Sequence, residues 1–182
     1  MSNYSCLSLL KTKAKKLARA QGIKQTQALE IIAKEAKFAT YHELSEVAKR
    51  DPLEPRLVLA ALGETNLSDA MTNDDVFSAL DYEIGEMLAG EIADTNAEGF
   101  YLEFPEEAEV SYDEATGVLS VKASMEYQGE QDPDRPYSGT TFYIDATFDL
   151  VRRDDKWSLV EDSLELTDVN LDTELESHYL DY

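Results

Sequence analysis

Apolar residues recur at three- and four-residue steps through the first fifty positions and at two-residue steps after position 99, so the chain reads as helices followed by strands. Leu7, Leu10, Ala14, Leu17 and Ala18 form one stripe over residues 5–21, and Gly22 supplies the stop. Ala28, Leu29, Ile32 and Ala36, with Ile31 beside them, predict a second helix over 26–37. A third opens at Thr40, where Glu43 three residues on completes a capping box and Ala39 and Leu44 occupy the staple positions. It runs to Arg50, and Asp51-Pro52 closes it.

Pro52 and Pro55 bracket a linker, after which Leu57, Val58, Leu59 and Leu62 predict a short helix over 56–62 that Gly63 ends. A longer stripe follows in Val76, Leu80, Ile84, Met87, Leu88 and Ile92, a helix over 73–93. Thr72 is the expected cap, and Asp74 and Asp75 sit in the first turn, where the helix dipole favours negative charge.

Beyond Gly99 the period is two. Phe100, Leu102 and Phe104 alternate with Tyr101 and Glu103, Val110 and Tyr112 begin a second strand, and 113–117 is turn chemistry. Leu119, Val121, Ala123, Met125 and Tyr127 make the apolar side of a third strand. A polar loop is expected over 128–139. A fourth strand sets Phe142, Ile144, Ala146, Phe148 and Leu150 against Thr141, Tyr143, Asp145, Thr147 and Asp149. Residues 152–156 read as a hairpin turn and 157–166 as a return strand, bulged where its alternation slips at Asp162-Ser163. The tail, 168–182, is acidic.

Clean alternation with hairpin turns predicts an antiparallel sheet with one wet face, and its dry face can cover the helix at 73–93. The expected fold class is α+β: an N-terminal three-helix module, then a long helix packed on a sheet of about four or five antiparallel strands. The expected division is a basic helical module over 1–50, a linker with a short helix over 51–72, and an acidic helix-plus-sheet domain over 73–182.

Charge sharpens that division. Residues 1–50 carry ten Lys/Arg against four Asp/Glu, a net of +6. The rest of the chain carries six against 34, a net of −28, and the whole stands at −22. Nucleic acid and anionic membrane repel such a body, whose natural partners are cations, basic proteins or its own basic head. Direct nucleic-acid contact is open only to 1–50, through Lys11, Lys13, Lys15, Lys16 and Arg19. The third helix is a poor recognition helix: it presents Tyr41, His42, Glu43, Ser45 and Glu46 first, and two glutamates repel phosphate.

Candidate chemistry is sparse. Cys6 is the single cysteine and His42 and His178 the only imidazoles, which excludes an intramolecular disulfide, a Cys-rich zinc site and a multi-histidine centre. The eight glycines are scattered singly, so no phosphate loop is present. Asp168, Asn170, Asp172 and Glu174 have the alternate spacing of a calcium-loop start, but the sixth position is Thr173 and the twelfth Tyr179, so the match fails where glycine and glutamate are required. With 34 acids in the body, paired carboxylates carry no catalytic signal. No metal, cofactor or enzymatic activity is expected. No apolar run suits a membrane span, the lysines at 11–16 precede no apolar segment of a secretory signal, and the cytoplasm is the expected compartment.

The stretch Gln27-Ala28-Leu29-Glu30-Ile31-Ile32-Ala33-Lys34-Glu35, with Phe38 and Tyr41-His42-Glu43-Leu44, resembles a short N-terminal helical module of bacterial proteins, some carried on plasmids and other mobile elements, others preceding glyoxalase-like domains. The resemblance spans roughly a quarter of the chain. It implies a bacterial or mobile-element setting and no catalytic residue, since residues 51–182 cannot supply a glyoxalase's His/Glu ligands in the usual number.

The acids themselves remain. Residues i and i+2 of a strand lie about 6.8 Å apart on one face, so Asp145 and Asp149 fall in a row with Tyr143 and Thr147. Asp74, Asp75, Asp81, Glu83 and Glu86 give the helix an acidic face. Duplex DNA presents one charge per about 1.7 Å of axis, and a rigid negative surface can occupy a grip built for it. The expected function is a non-enzymatic acidic protein that binds a basic nucleic-acid-handling partner as a DNA mimic, for example an anti-restriction or anti-CRISPR inhibitor. Two alternatives stay open: a nucleic-acid-binding regulator that uses the basic head, and an interaction protein whose acidity confers only solubility.

Overall fold

A computed structural model describes residues 3–103 and 108–174. Phe104, His178 and Tyr179 lie outside the described residues. The fold is α+β, with helices in the N-terminal part and an antiparallel sheet after them. The chain divides into two compact units. Among the described residues, the first holds 3–70 with the hairpin tips 112–119 and 151–156; the second holds 71–103, 108–111, 120–150 and 157–174.

In the first unit, α1 (Cys6–Gln21) begins where the Ser5 hydroxyl accepts from the Ser8 amide and ends at Gly22 in the left-handed region. Its buried residues are Cys6, Leu10 and Ala14. Helix α2 (Gln25–Glu35) starts one residue before the expected position 26, with the Gln27 side-chain oxygen accepting from the Lys24 amide at 3.3 Å. The predicted end at 37 is too late: Lys37 takes a positive φ of 61° and turns the chain. Helix α3 (Tyr41–Arg50) is capped by Thr40, whose hydroxyl accepts from the Glu43 amide at 3.2 Å. Glu43 reaches back one residue further than a capping box requires, accepting from the Ala39 amide at 2.8 Å.

The segment read as a linker contains α4 (Pro55–Leu62), which packs on α1 with Leu57, Val58 and Leu62 buried. Pro55 occupies the first turn, where its missing N–H costs nothing. Arg56 anchors the start of α4. Its guanidinium lies 4.0 Å over the Phe38 ring, donates to the Lys37 carbonyl at 3.2 Å and pairs with Glu54 at 2.7 Å. A 3-10 turn (Leu67–Thr72) follows.

In the second unit the long predicted helix is two. Helix α5 (Asp74–Met87) is capped by Asn73 and not by Thr72, which belongs to the preceding 3-10 turn. The backbone leaves helical geometry at Leu88, and α6 (Ala89–Asp94) is a separate short helix. Val76, Leu80 and Ile84 are the buried stripe of α5, while Met87 is exposed.

Among the described residues the sheet has six strands where four or five were expected. They are β1 (Ala97–Glu103), β2 (Ala108–Asp113), β3 (Val118–Gln131), β4 (Thr141–Arg153), β5 (Lys156–Leu159) and β6 (Glu165–Leu171). The spatial order is β1-β3-β4-β5, with β2 also on β3 and β6 also on β4. The predicted return strand is shorter, ending at Leu159 as β5, and a further strand along β4, β6, runs from its expected end into the segment read as the tail. Between them Asp162 takes a positive φ of 58°, and the Ser163 hydroxyl both donates to the Val160 carbonyl at 2.7 Å and accepts from the Asp149 amide at 3.1 Å. Strand β3 runs to Gln131, so the polar loop is shorter than its composition suggests. Asp168, Asn170 and Leu171 lie in β6, and the Asp172 carboxylate accepts from the Tyr137 hydroxyl at 2.5 Å and the Thr140 amide at 3.1 Å, so the calcium-loop spacing is strand spacing.

Val121, Ala123, Met125 and Tyr127 of β3 and Phe142, Ile144, Ala146, Phe148 and Leu150 of β4 are buried on the dry face. Phe100 extends that layer, with ring centroids 5.7 Å from Tyr127 and 5.6 Å from Phe142. Helix α5 covers it: Gly85 lets the Tyr127 hydroxyl approach so closely that a Cβ there would lie 2.7 Å from it.

Candidate partner-binding face

Alternation in β3 and β4 sends every second side chain to the wet face. Asp145 and Asp149 follow from the burial of Ile144, Ala146, Phe148 and Leu150 beside them. Register then shows which acids meet, which no single strand reveals. Asp145 stands opposite Asp168, and Glu103 stands opposite Glu126. Each is a like-charge pair across antiparallel strands, an arrangement that works against the sheet.

Neutral donors hold these carboxylates in place. The Ser124 hydroxyl donates to Asp145 at 2.6 Å, and the Ser120 hydroxyl donates to Asp149 at 2.7 Å. The Gln128 amide donates to Glu126 at 2.6 Å and to Glu103 at 3.4 Å, so one amide spans two acids. The Asn170 amide donates to Asp168 at 2.8 Å, and the Tyr101 hydroxyl to Glu103 at 3.4 Å. Hydroxyls and amides fix an orientation and leave the full charge in place, whereas a lysine or arginine would cancel it. Lys122 is the one cation carried by the described residues of β1, β3, β4 and β6 on this face within the second unit.

Two shallow depressions mark the face. One, of about 470 Å³, is lined by residues that include Glu109, Ser120, Lys122, Thr147 and Asp149. The other, of about 200 Å³, includes Ser124, Glu126, Tyr143, Asp145, Asp168 and Asn170. Tyr143 is 41% exposed and sets an aromatic ring among the acids. Among the described residues no group of three or more His, Cys, Asp or Glu is placed to hold a metal ion.

The helix acids are elsewhere. Helix α5 lies on the dry side, so Asp74, Asp75, Glu83 and Glu86 belong to the layer opposite Asp145 and Asp149. Asp74, Asp75 and Glu86 are exposed, and Glu83 is partly so. Asp81 faces the sheet: its carboxylate accepts from the Leu102 amide at 2.7 Å, which ties α5 to β1. The seven acids read from the sequence therefore form no single surface. Glu103, Glu126 and Asp168 were missed because the signal for them is strand register, which one strand's pattern does not contain.

In the first unit Lys13, Lys15, Lys16 and Arg19 are exposed on α1 and Lys11 is partly so. The exposed side of α3 sets Glu43 and Glu46 beside His42, Lys49 and Arg50. Glu46 pairs with Lys49 at 2.6 Å, whose ammonium holds the Glu46 carboxyl below its usual range, and Glu43 serves as a brace. Cys6 is buried and far from use as a nucleophile: burial, reinforced by the charge of Glu114, pushes its pKa up to about 12 against the opposing effect of a backbone hydrogen bond. No protein-family model, curated protein or solved structure matches the chain. Among the described residues no helix is long and apolar enough to cross a membrane.

Proposed function

We propose that the chain is a non-enzymatic interaction protein whose wet sheet face binds a basic, nucleic-acid-handling protein in the place its nucleic acid would take. The observation that carries this reading is the pairing of Asp145 with Asp168 and of Glu103 with Glu126, each acid oriented by a neutral donor. Acidity that served only solubility needs no such order: dispersed carboxylates solubilise equally well, and cross-strand repulsion works against the fold. A fixed array of negative charge with a tyrosine among it suits the lysines and arginines of a nucleic-acid grip. The resemblance of residues 27–44 to a module of mobile-element proteins suggests a bacterial setting in which an anti-restriction or anti-CRISPR inhibitor would be useful.

The test is capture from nuclease-treated bacterial lysate by the full chain, at low salt and at about 0.5 M salt where screening is strong, with wild type and the E126Q/D145N/D168N variant side by side. Basic proteins retained at low salt by wild type and lost with the variant support the reading. A retained set without basic proteins, or one the variant leaves unchanged, overturns it.

The exposed lysines of α1 favour a second reading, a nucleic-acid-binding regulator. A gel shift of the full chain, wild type against K11E/K15E/R19E, decides it: a shift that the variant abolishes supports a nucleic-acid role for the basic head.

A further inference from the structure

The first unit contains a pocket of about 180 Å³ that the acidic face does not involve. A water's share of liquid volume is about 30 Å³, so this space suits a small ligand. Its charged lining gathers from two stretches of chain remote in sequence: Lys13 and Lys16 from α1, and Arg152, Asp154 and Asp155 from the β4–β5 tip. Thr12 adds a hydroxyl, and Tyr4, Leu9, Tyr112 and Leu62 supply apolar wall.

The wall is built. Tyr4 lies on Gly117, where a Cβ would meet its ring at 2.6 Å. The Tyr4 amide donates to the Glu114 carbonyl at 3.1 Å, and the Tyr112 hydroxyl donates to the Tyr4 carbonyl at 3.0 Å. The end of α4 accounts for two of the cations. Arg152 donates to the Leu62 carbonyl, and Lys13 reaches the Ala60 carbonyl at 3.5 Å, as cations do at a helix C-terminus. Lys16 has no such explanation: among the described residues it makes no ion pair or hydrogen bond, although the chain carries 38 acids to its 16 Lys/Arg. Arg152 keeps donors to spare, since a guanidinium has five and the Leu62 carbonyl uses one strongly. Asp155 stands 3.5 Å from Arg152, and both it and Asp154 line the pocket and are exposed. These two carboxylates offset two of the three cations, so the lining suits a ligand with one phosphate better than a polyanion.

We propose that this pocket binds a small phosphomonoester, its phosphate held by Lys13, Lys16 and Arg152 and its organic part lying against Tyr4 and Leu9. The site is independent of the acidic sheet face and stands or falls apart from it.

Calorimetric titration of the full chain with inorganic phosphate and with phenyl phosphate tests the assignment. Saturable binding of both is expected, tighter for phenyl phosphate. K16A should weaken phosphate by about tenfold, the scale of one charge-assisted hydrogen bond, while K15A, which removes the same charge from α1 outside the pocket, should leave it within about twofold. Circular dichroism melts confirm that both variants fold. Absence of saturable binding, or equal weakening by K15A, overturns the site. Equal affinity for the two phosphates overturns the wall assignment. An unphosphorylated oligothymidylate carries only phosphodiesters, and competition from it as strong as from phenyl phosphate would overturn the choice of a monoester.

Discussion

At the residue scale, Cys6 shows how burial sets chemistry. It is 1% exposed, and its pKa stands near 12 against an ordinary 9. Tyr112 rises to about 12 from 10, first by burial and then by the neighbouring charges of Cys6, Glu114, Tyr4 and Asp113. Both shifts favour the protonated, neutral form. The unfolded chain therefore releases these protons at lower pH than the folded one, and their contribution to stability is whole below about pH 9 and lost as pH climbs toward 12. Ellman's reagent at pH 8 should leave the native thiol untouched and titrate it fully in urea; prompt reaction of the folded chain would contradict this burial. Gly117 is the second residue-scale case. Its φ of 76° and its contact with the Tyr4 ring both disfavour a methyl group. Gly117→Ala should cost about 1–2 kcal/mol from the left-handed backbone alone, and a urea melt unchanged in midpoint would show that the tip can rearrange freely.

At the scale of elements, the acidic strands carry opposed demands. Asp145 and Asp168 meet across β4 and β6 with their charges unrelieved by a cation. Removing one charge while keeping the hydrogen-bonding shape should stabilise the sheet by about 0.2–1 kcal/mol. Asp168→Asn is thus expected to raise the melting midpoint of the isolated protein while weakening its retention of a basic partner. A variant that melts lower and binds as well would remove the case for a surface kept at some expense of stability. The helices tell a complementary story. Asp81, which composition places among free surface acids, is a bracket between α5 and the Leu102 amide, and Glu43 is a brace for the Ala39 amide. Carboxylates spent on backbone donors support the fold and are withdrawn from any partner.

At the scale of the whole molecule the net charge of −22 makes self-repulsion a standing force against compactness. Sodium chloride shortens the screening length from about 10 Å at 0.1 M to about 3 Å at 1 M. The melting midpoint should therefore climb with salt, by about 2–4 °C for each kcal/mol of repulsion relieved in a chain of this size. A midpoint that fell with salt would mean that attractive pairs outweigh the repulsion. The same salt should strip a basic partner from the acidic face, so stability and association are expected to move in opposite directions over one titration.

Local rules were enough for much of this protein. The stripe at Leu10 and Ala14, the stop at Gly22, the cap at Thr40 and the alternation from Leu119 to Leu150 depend on neighbours a few residues away, and the starts of these elements follow within a residue or two, while β3 runs four residues past its expected end. The excess of acid over base in residues 51–182 is likewise a property of the sequence alone. Tertiary structure decided what was non-local. The break at Leu88 and the pairing of both β5 and β6 with β4 are not written in the local pattern, whereas the Asn73 cap is itself local, its side chain accepting from the Asp75 amide two residues on. The meeting of Asp145 with Asp168 and of Glu103 with Glu126, and the gathering of Lys16 and Arg152 around one pocket, exist only because folding closes distances of many residues. Periodicity tells which face a side chain takes, and register and chain reversal tell what it faces there.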